Sequence, residues 1–209
     1  MTGATGLRQR KKLATRQAIS WAAVRLAVEH GPENVRLEDI AAGAGVSPRT
    51  CNNYFSSKEA AVCGFVVARG ESIRDALLAR PREEPLVEAL VAAVLAQFGS
   101  PEPDRESVVR TRLVVSSPVL QGEYLKAMAV TERYVAEAIA LRTGTRAETD
   151  LRSRVIAAVA ATAVRVGVEQ WVASGTGRFS RVIGETLRLA LAGFAVPQVH
   201  SSTPRRRRT

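Results

Sequence analysis

The chain has 209 residues, 46% of them hydrophobic, and a formal net charge of +10, enough apolar material for one sizeable core or two small ones. Its most apolar run, Val155 to Val164, is too short to cross a bilayer and is followed by Arg165 and Glu169, so it fits a buried helix. The basic amino terminus is not followed by an apolar signal segment, and a cytoplasmic address without a membrane partner is expected.

The positive charge is segregated. Residues 1–58 carry a net +5 and the run Arg205 to Arg208 a further +4, which leaves the rest close to neutral. A concentrated basic patch can displace counterions from a phosphate backbone, with affinity that falls steeply as salt rises. Residues 1–14 read as a basic flexible arm. Its Arg8, Arg10, Lys11 and Lys12, with Arg16 just beyond, could follow a DNA backbone or enter its minor groove. Residues 196–209 read as a disordered basic tail, whose arginines would serve either the same end or solubility alone.

The first long helix has one face marked by Ile19, Ala22, Ala23, Leu26 and Ala27 and a second by Trp21, Val24 and Val28, so it is expected to be largely enclosed. His30 falls in its last turn, before Gly31, and His200 in the tail. Next, Leu37, Ile40, Ala41 and Ala44 stand at i, i+3, i+4 and i+7, one face of a short helix. Gly45 can leave that helix at positive φ without steric penalty. Ser47 can cap a following helix, and Pro48 suits its first position. Within it Cys51 and Phe55 turn inward together and leave Arg49, Thr50, Asn52 and Asn53 outside. Arginine bonds a guanine edge in two places and asparagine an adenine edge in two places, and a helix this short fits the major groove. Two short helices pinned by a glycine turn, with polar groups aimed outward from the second, read as a helix-turn-helix for duplex DNA. The same residues also suit a solvated face on a small core helix.

Ser56 and Glu59 form an S-x-x-E capping box, which predicts one helix from Ser57 to about Leu78. Lys58 then sits in a first turn where the helix dipole disfavours a cation, and an outside phosphate would resolve that conflict. An exposed, solvated lysine is the plainer alternative. Cys51 and Cys63 have no C-x-x-C spacing and no histidine cluster nearby, so no metal site is indicated, and a small buried hydrophobe is the ordinary use of each. After a break from Pro81 to Pro85, helices are predicted at about 86–98, 104–116, 119–143, 150–174 and 179–194. No strand alternation and no repeat is present: the fold class is all-α.

Residues 15–65 resemble the tetracycline-repressor family of bacterial transcription regulators. The motif elements are Asp39-Ile40-Ala41, Ala44-Gly45-Val46-Ser47, Tyr54-Phe55 and Ser57-Lys58-Glu59. The chain departs from the family pattern at Asn52, where a tyrosine that meets the backbone phosphate is usual, and at Cys51, where a larger apolar residue is usual. Arg36 stands where a small hydroxyl residue is frequent, so a guanidinium would make that phosphate contact. The resemblance implies a three-helix DNA-binding domain at 15–60 and a larger helical ligand-binding and dimerisation domain at 61–195. The DNA-contacting set it implies is Arg36, Ser47, Pro48, Arg49, Thr50, Asn52, Asn53, Tyr54 and Lys58.

It also implies a homodimer joined through the two carboxyl-terminal helices. Two stripes, Ile156, Val159, Ala160 and Ala163 and then Leu187, Leu191 and Phe194, suit that interface or an ordinary core. The run Arg112 to Leu120, with Glu132, Ile139 to Gly144 and Trp171, resembles the subgroup whose carboxyl-terminal domain binds acyl-CoA-like ligands. Phe98, Leu113, Tyr124, Met128, Tyr134 and Trp171 would line the channel, with Arg112 or Arg165 at its mouth. No cofactor is implied.

An enzyme is the rival reading from another class. The chain has no G-x-S-x-G elbow, no P-loop and no H-E-x-x-H, and Gly43-x-Gly45 and Gly175-x-Gly177 lack the third glycine of a dinucleotide loop. A non-specific nucleoid-type or adaptor protein would keep the basic amino terminus but would need neither a hollow domain nor a dyad-symmetric target.

Overall fold

The computed structural model describes residues 3–98, 102–175 and 177–194. The tail 196–209, with His200 and Arg205 to Arg208, lies outside the described residues. Among those described there is no strand. Ten α-helices follow one another: α1 (Gly3–His30), α2 (Leu37–Gly43), α3 (Pro48–Tyr54), α4 (Lys58–Val62), α5 (Gly64–Ala79), α6 (Leu86–Leu95), α7 (Arg105–Ser116), α8 (Gln121–Thr143), α9 (Leu151–Ser174) and α10 (Phe179–Leu191), with a closing 3₁₀ turn at Ala192–Phe194.

Polar caps fix where several helices start. Asp104 accepts the Ser107 N–H at 2.7 Å ahead of α7, and Asp150 accepts the Arg152 N–H at 3.0 Å ahead of α9. The start of α10 is capped from a distance: the Glu102 carboxylate accepts the Phe179 N–H at 2.7 Å and the Ser180 hydroxyl at 2.8 Å. At the end of α5 the Arg142 guanidinium donates to the Leu77, Arg80 and Pro81 carbonyls at 3.0, 2.8 and 2.7 Å, satisfying acceptors that the helix leaves open.

Two apolar cores result. One joins α1 to α4 and the start of α5, and takes in Val114 of α7, Leu120, and Tyr124 and Ala127 of α8. The other holds the end of α5 with α6, α8, α9 and α10. Helix α5 therefore runs from one core into the other, with Val66 in the first and Ile73 and Leu77 in the second. The boundary expected at 60/61 is not a gap in packing, because the amino-terminal core continues across it.

Four expectations need correction. The segment 1–14 is helical from Gly3 onward rather than a flexible arm. Trp21 and Val28 of α1 are 45% and 41% exposed, so α1 is buried along one face only. The helix predicted from Ser57 to Leu78 is broken at Cys63, and its cap is Ser57, which accepts the Ala60 N–H at 3.0 Å, not Ser56. Finally, Ile156, Ala160, Ala163, Leu187 and Leu191 are buried within their own subunit. The face that α9 and α10 leave uncovered carries Leu151, Val155, Val166 and Leu189, the last 82% exposed. Helix α9 is long and apolar enough to cross a membrane, yet it packs against α8 and α10 as a core helix.

Candidate DNA-binding surface and ligand cavity

The local chemistry of α2 and α3 builds a rigid corner. Glu38 and Asp39 stand in the first turn of α2, where the helix dipole favours anions. The chain leaves α2 through Gly45 at φ +66, and the Val46 N–H returns to the Ala41 carbonyl at 2.9 Å. Nothing lies within 4 Å of where a Gly45 Cβ would be, so backbone conformation and not space demands glycine here. Ser47 then caps α3: its hydroxyl accepts the Thr50 N–H at 3.1 Å and lies 2.9 Å from the Thr50 hydroxyl.

Cys51 and Phe55 are 0% and 4% exposed and hold α3 against the amino-terminal core. Ser47, Pro48, Arg49, Asn52 and Asn53 are exposed, while Thr50 and Tyr54 are half-buried. Arg36, the residue before α2, is exposed and forms no cap. Arg36, Arg49, Asn52 and Asn53 are thus open to solvent, where contacts to bases and phosphates are made. Lys58 differs. Its ammonium donates to the Glu33 and Val35 carbonyls at 2.8 and 2.9 Å, so backbone oxygens and not an outside anion offset the helix dipole. One of its three donors is left for a phosphate.

Behind α5 lies an apolar cavity of about 50 Å³. Phe98, Tyr124 and Met128 line it together with Ile73, Leu90, Val94, Val135 and Val168. Burial pushes the Tyr124 hydroxyl up to about 12. The other four residues expected there lie outside the wall. Arg112 is exposed on α7, and Leu113 packs on the amino-terminal core. Tyr134 donates to Glu71 at 2.9 Å, and Trp171 turns its indole N–H to the Gly177 carbonyl at 3.1 Å while meeting Phe179 edge-on at 5.0 Å. Arg165, expected at a mouth, pairs with Glu169 on its own helix at 2.8 Å.

Arg69, which sequence periodicity does not single out, is the one charged side chain among the residues lining the cavity. The sequence signal was a single arginine inside the apolar stretch from Phe65 to Gly70. Its guanidinium lies 4.0 Å over the Phe98 ring, and desolvation pulls it down to about 10. The two cysteines are buried thiols, and Cys63 is pushed up to about 12 by burial, then by Glu123 and Glu59, which makes it a poor nucleophile.

Comparison with known proteins covers both halves of the chain. Residues 19–61 match the family described as bacterial regulatory proteins, tetR family, and residues 84–195 match the MftR C-terminal domain. The chain is 34% identical over 173 residues to the HTH-type transcriptional regulator TcmR of Streptomyces glaucescens, covering 79% of this chain and 76% of that one. It is 27% identical over 187 residues to MftR of Mycobacterium tuberculosis, named for transcriptional regulation of mycofactocin biosynthesis, covering 88% and 93%. The fold matches that of Thermus thermophilus FadR, solved in complex with lauroyl-CoA, with a TM-score of 0.55 at 21% identity over 90% of this chain and 99% of the other. With a helix-turn-helix at one end and an all-helical domain matched over most of the rest, the chain belongs to the tetR family of bacterial transcriptional regulators.

Proposed function

We propose that the protein is a ligand-responsive repressor that binds a near-palindromic operator as a homodimer. The observation that carries this reading is the division of α3: Cys51 is fully buried, while Arg49, Asn52 and Asn53 on the same two turns are exposed. A dimer formed through the uncovered apolar face of α9 and α10 would set two copies of α3 about 34 Å apart, the spacing of successive major-groove faces.

The effector in this reading is a small hydrophobic molecule in the cavity behind α5. The Thermus protein of the same fold holds lauroyl-CoA, and an acyl group of that kind suits a wall this apolar. A cavity of about 50 Å³ has room for only a few water-sized groups. A larger ligand therefore binds a wider form of the domain, and its binding energy draws the population toward that form. Because α5 belongs to both cores, widening moves α3 of each subunit and lifts repression.

Selection of bound duplexes from a random-sequence library tests the reading. It predicts one near-palindrome, released by a long-chain acyl-CoA that also raises the melting temperature. Recovery of no preferred sequence would favour a non-specific nucleoid-type role.

A further inference from the structure

On one side the amino-terminal core fastens the DNA-binding unit to the larger domain, with Val114 of α7, Leu120, and Tyr124 and Ala127 of α8 packed among residues of α1 to α4. Elsewhere the two are held apart. The face of α1 that carries Leu13, Gln17 and Trp21 borders a polar cleft of about 220 Å³, and Glu71 and Ser72 of α5 with Ser107 and Arg110 of α7 stand across it. A cation–π contact bridges this cleft: the Arg110 guanidinium lies 4.2 Å over the Trp21 ring. We infer that Trp21 and Arg110 are positioning residues, whose contact holds the DNA-binding unit at the angle to the larger domain that sets the distance between the two copies of α3 in the dimer. The inference rests on the operator-binding reading above and names the pair that fixes its geometry.

The guanidinium is a fixed strut. It donates to the Glu106 carboxylate at 2.7 Å and to the Ser107 hydroxyl at 3.0 Å, both one turn back on α7, and the Ser107 N–H is itself held by Asp104 at the start of that helix. A free arginine would follow the ring through its own rotamers, whereas one bonded twice to its own helix passes any displacement of α1 directly to α7. The next residue, Thr111, lines the apolar cavity together with Val114 and Val115. Helix α7 thus turns one side to the cavity and Arg110 to α1, so a shift of the cavity wall reaches Trp21.

A separate observation comes from α1. Ile19, Ala22 and Ala23 bury the other face of this helix, but Trp21 belongs to neither apolar core and stays exposed beside the cleft. Its ring is spent on Arg110 and not on folding, so removing the contact frees the angle and leaves both cores intact. Stacking of a cation on a partly exposed ring shifts an equilibrium roughly two- to fivefold, and roughly four- to twenty-five-fold when it occurs in both subunits of a dimer. That is too little to decide whether the chain folds and enough to decide which of two domain angles prevails.

The test compares wild type, Arg110→Met, Trp21→Ala, the double variant and the conservative Arg110→Lys, each as the full chain. Affinity is measured by fluorescence polarisation on a selected operator, on the same operator with one base pair added or removed at its centre, and on a single half-site. Wild type should prefer the selected spacing by about tenfold or more. Arg110→Met and Trp21→Ala should each lose about fivefold or more on that spacing and keep little preference among the three, with half-site affinity unchanged. Arg110→Lys should keep most of the preference, and the double variant should be no worse than either single one. A spacing preference that survives both single variants, additive losses, or equal losses on operator and half-site would overturn the inference. Nitroxide labels on Asn53→Cys of α3 and Glu137→Cys of α8, both exposed positions, read the angle without DNA when labelled chain is diluted into unlabelled chain. Cys51 and Cys63 are buried and escape the label. The distance distribution should be narrow in wild type and broad in Arg110→Met. Equal widths would overturn the inference even where no operator is found, and a broadened distribution without an operator would sink the operator reading and leave the positioning pair standing.

Discussion

Gly70 of α5 lies so close to Thr131 of α8 that a Cβ on the glycine would come within 2.6 Å of the threonine hydroxyl and 2.9 Å of its Cα. The Thr131 hydroxyl donates to the Val66 carbonyl at 3.2 Å, which fixes the two helices in register. Gly70→Ala is expected to push them apart and to cost about 1–3 kcal/mol of stability, as overpacking does. The urea midpoint of denaturation reads the loss. An unchanged midpoint would mean that the contact yields easily.

Lys58 ties the start of α4 to the loop between α1 and α2 through the Glu33 and Val35 carbonyls. Lys58→Met should therefore lower stability in the absence of DNA, by about 1–3 kcal/mol for the lost charge-assisted bonds. Its effect on duplex binding should be the same for specific and random sequences. A variant as stable as wild type but weaker on DNA would show that the ammonium serves phosphate alone.

Glu102 links the start of α7 to the start of α10. Burial raises the pKa of its carboxyl, but the hydrogen bonds from Ser180, Phe179 and Arg178 outweigh that and hold it below the ordinary glutamate value of 4.5. The stabilisation is thus complete above about pH 4.5 and fades as pH falls through the lower folded-state value. Denaturation of wild type and Glu102→Gln across pH should show a constant gap near neutrality that narrows in acid. A gap that widens in acid would reverse the assignment.

Val166 and Leu189 lie on the face of α9 and α10 that the subunit leaves uncovered. Val166→Glu with Leu189→Glu should convert a dimer to a monomer in sedimentation and abolish tight binding to a two-half-site duplex. The monomer should remain folded, since neither side chain belongs to the core. A dimer that survives both substitutions would place the interface elsewhere.

The corner around Gly45 was legible because each of its signals is local: an apolar face of period 3.6, a positive φ, a serine cap and Pro48 at the next position. Packing across the chain was not. The break at Cys63 had no local signal, and Gly64 next to it is pressed against two distant segments: a Cβ there would come within 2.7 Å of the Ser20 hydroxyl and 2.9 Å of the Phe55 ring. Trp21 looks like core in a helical pattern but stays exposed under Arg110, since a cation and a ring from different helices satisfy each other. Ile156 and Ala160 announced an apolar face without saying which chain covers it. Arg112, Leu113, Tyr134 and Trp171 were chosen by residue type, and side-chain direction took all four away from the cavity, while Arg69 went unnoticed because charge is discounted in an apolar run.

The base-reading role of α3 is tested most directly by the affinity of Arg49→Ala and Asn53→Ala for a selected operator and for a random duplex at one moderate salt concentration. The account predicts a loss of about 1–3 kcal/mol for each variant on the operator, with little change on random DNA. Equal losses on both duplexes would assign these exposed side chains to phosphates, and no loss on either would remove α3 from the interface.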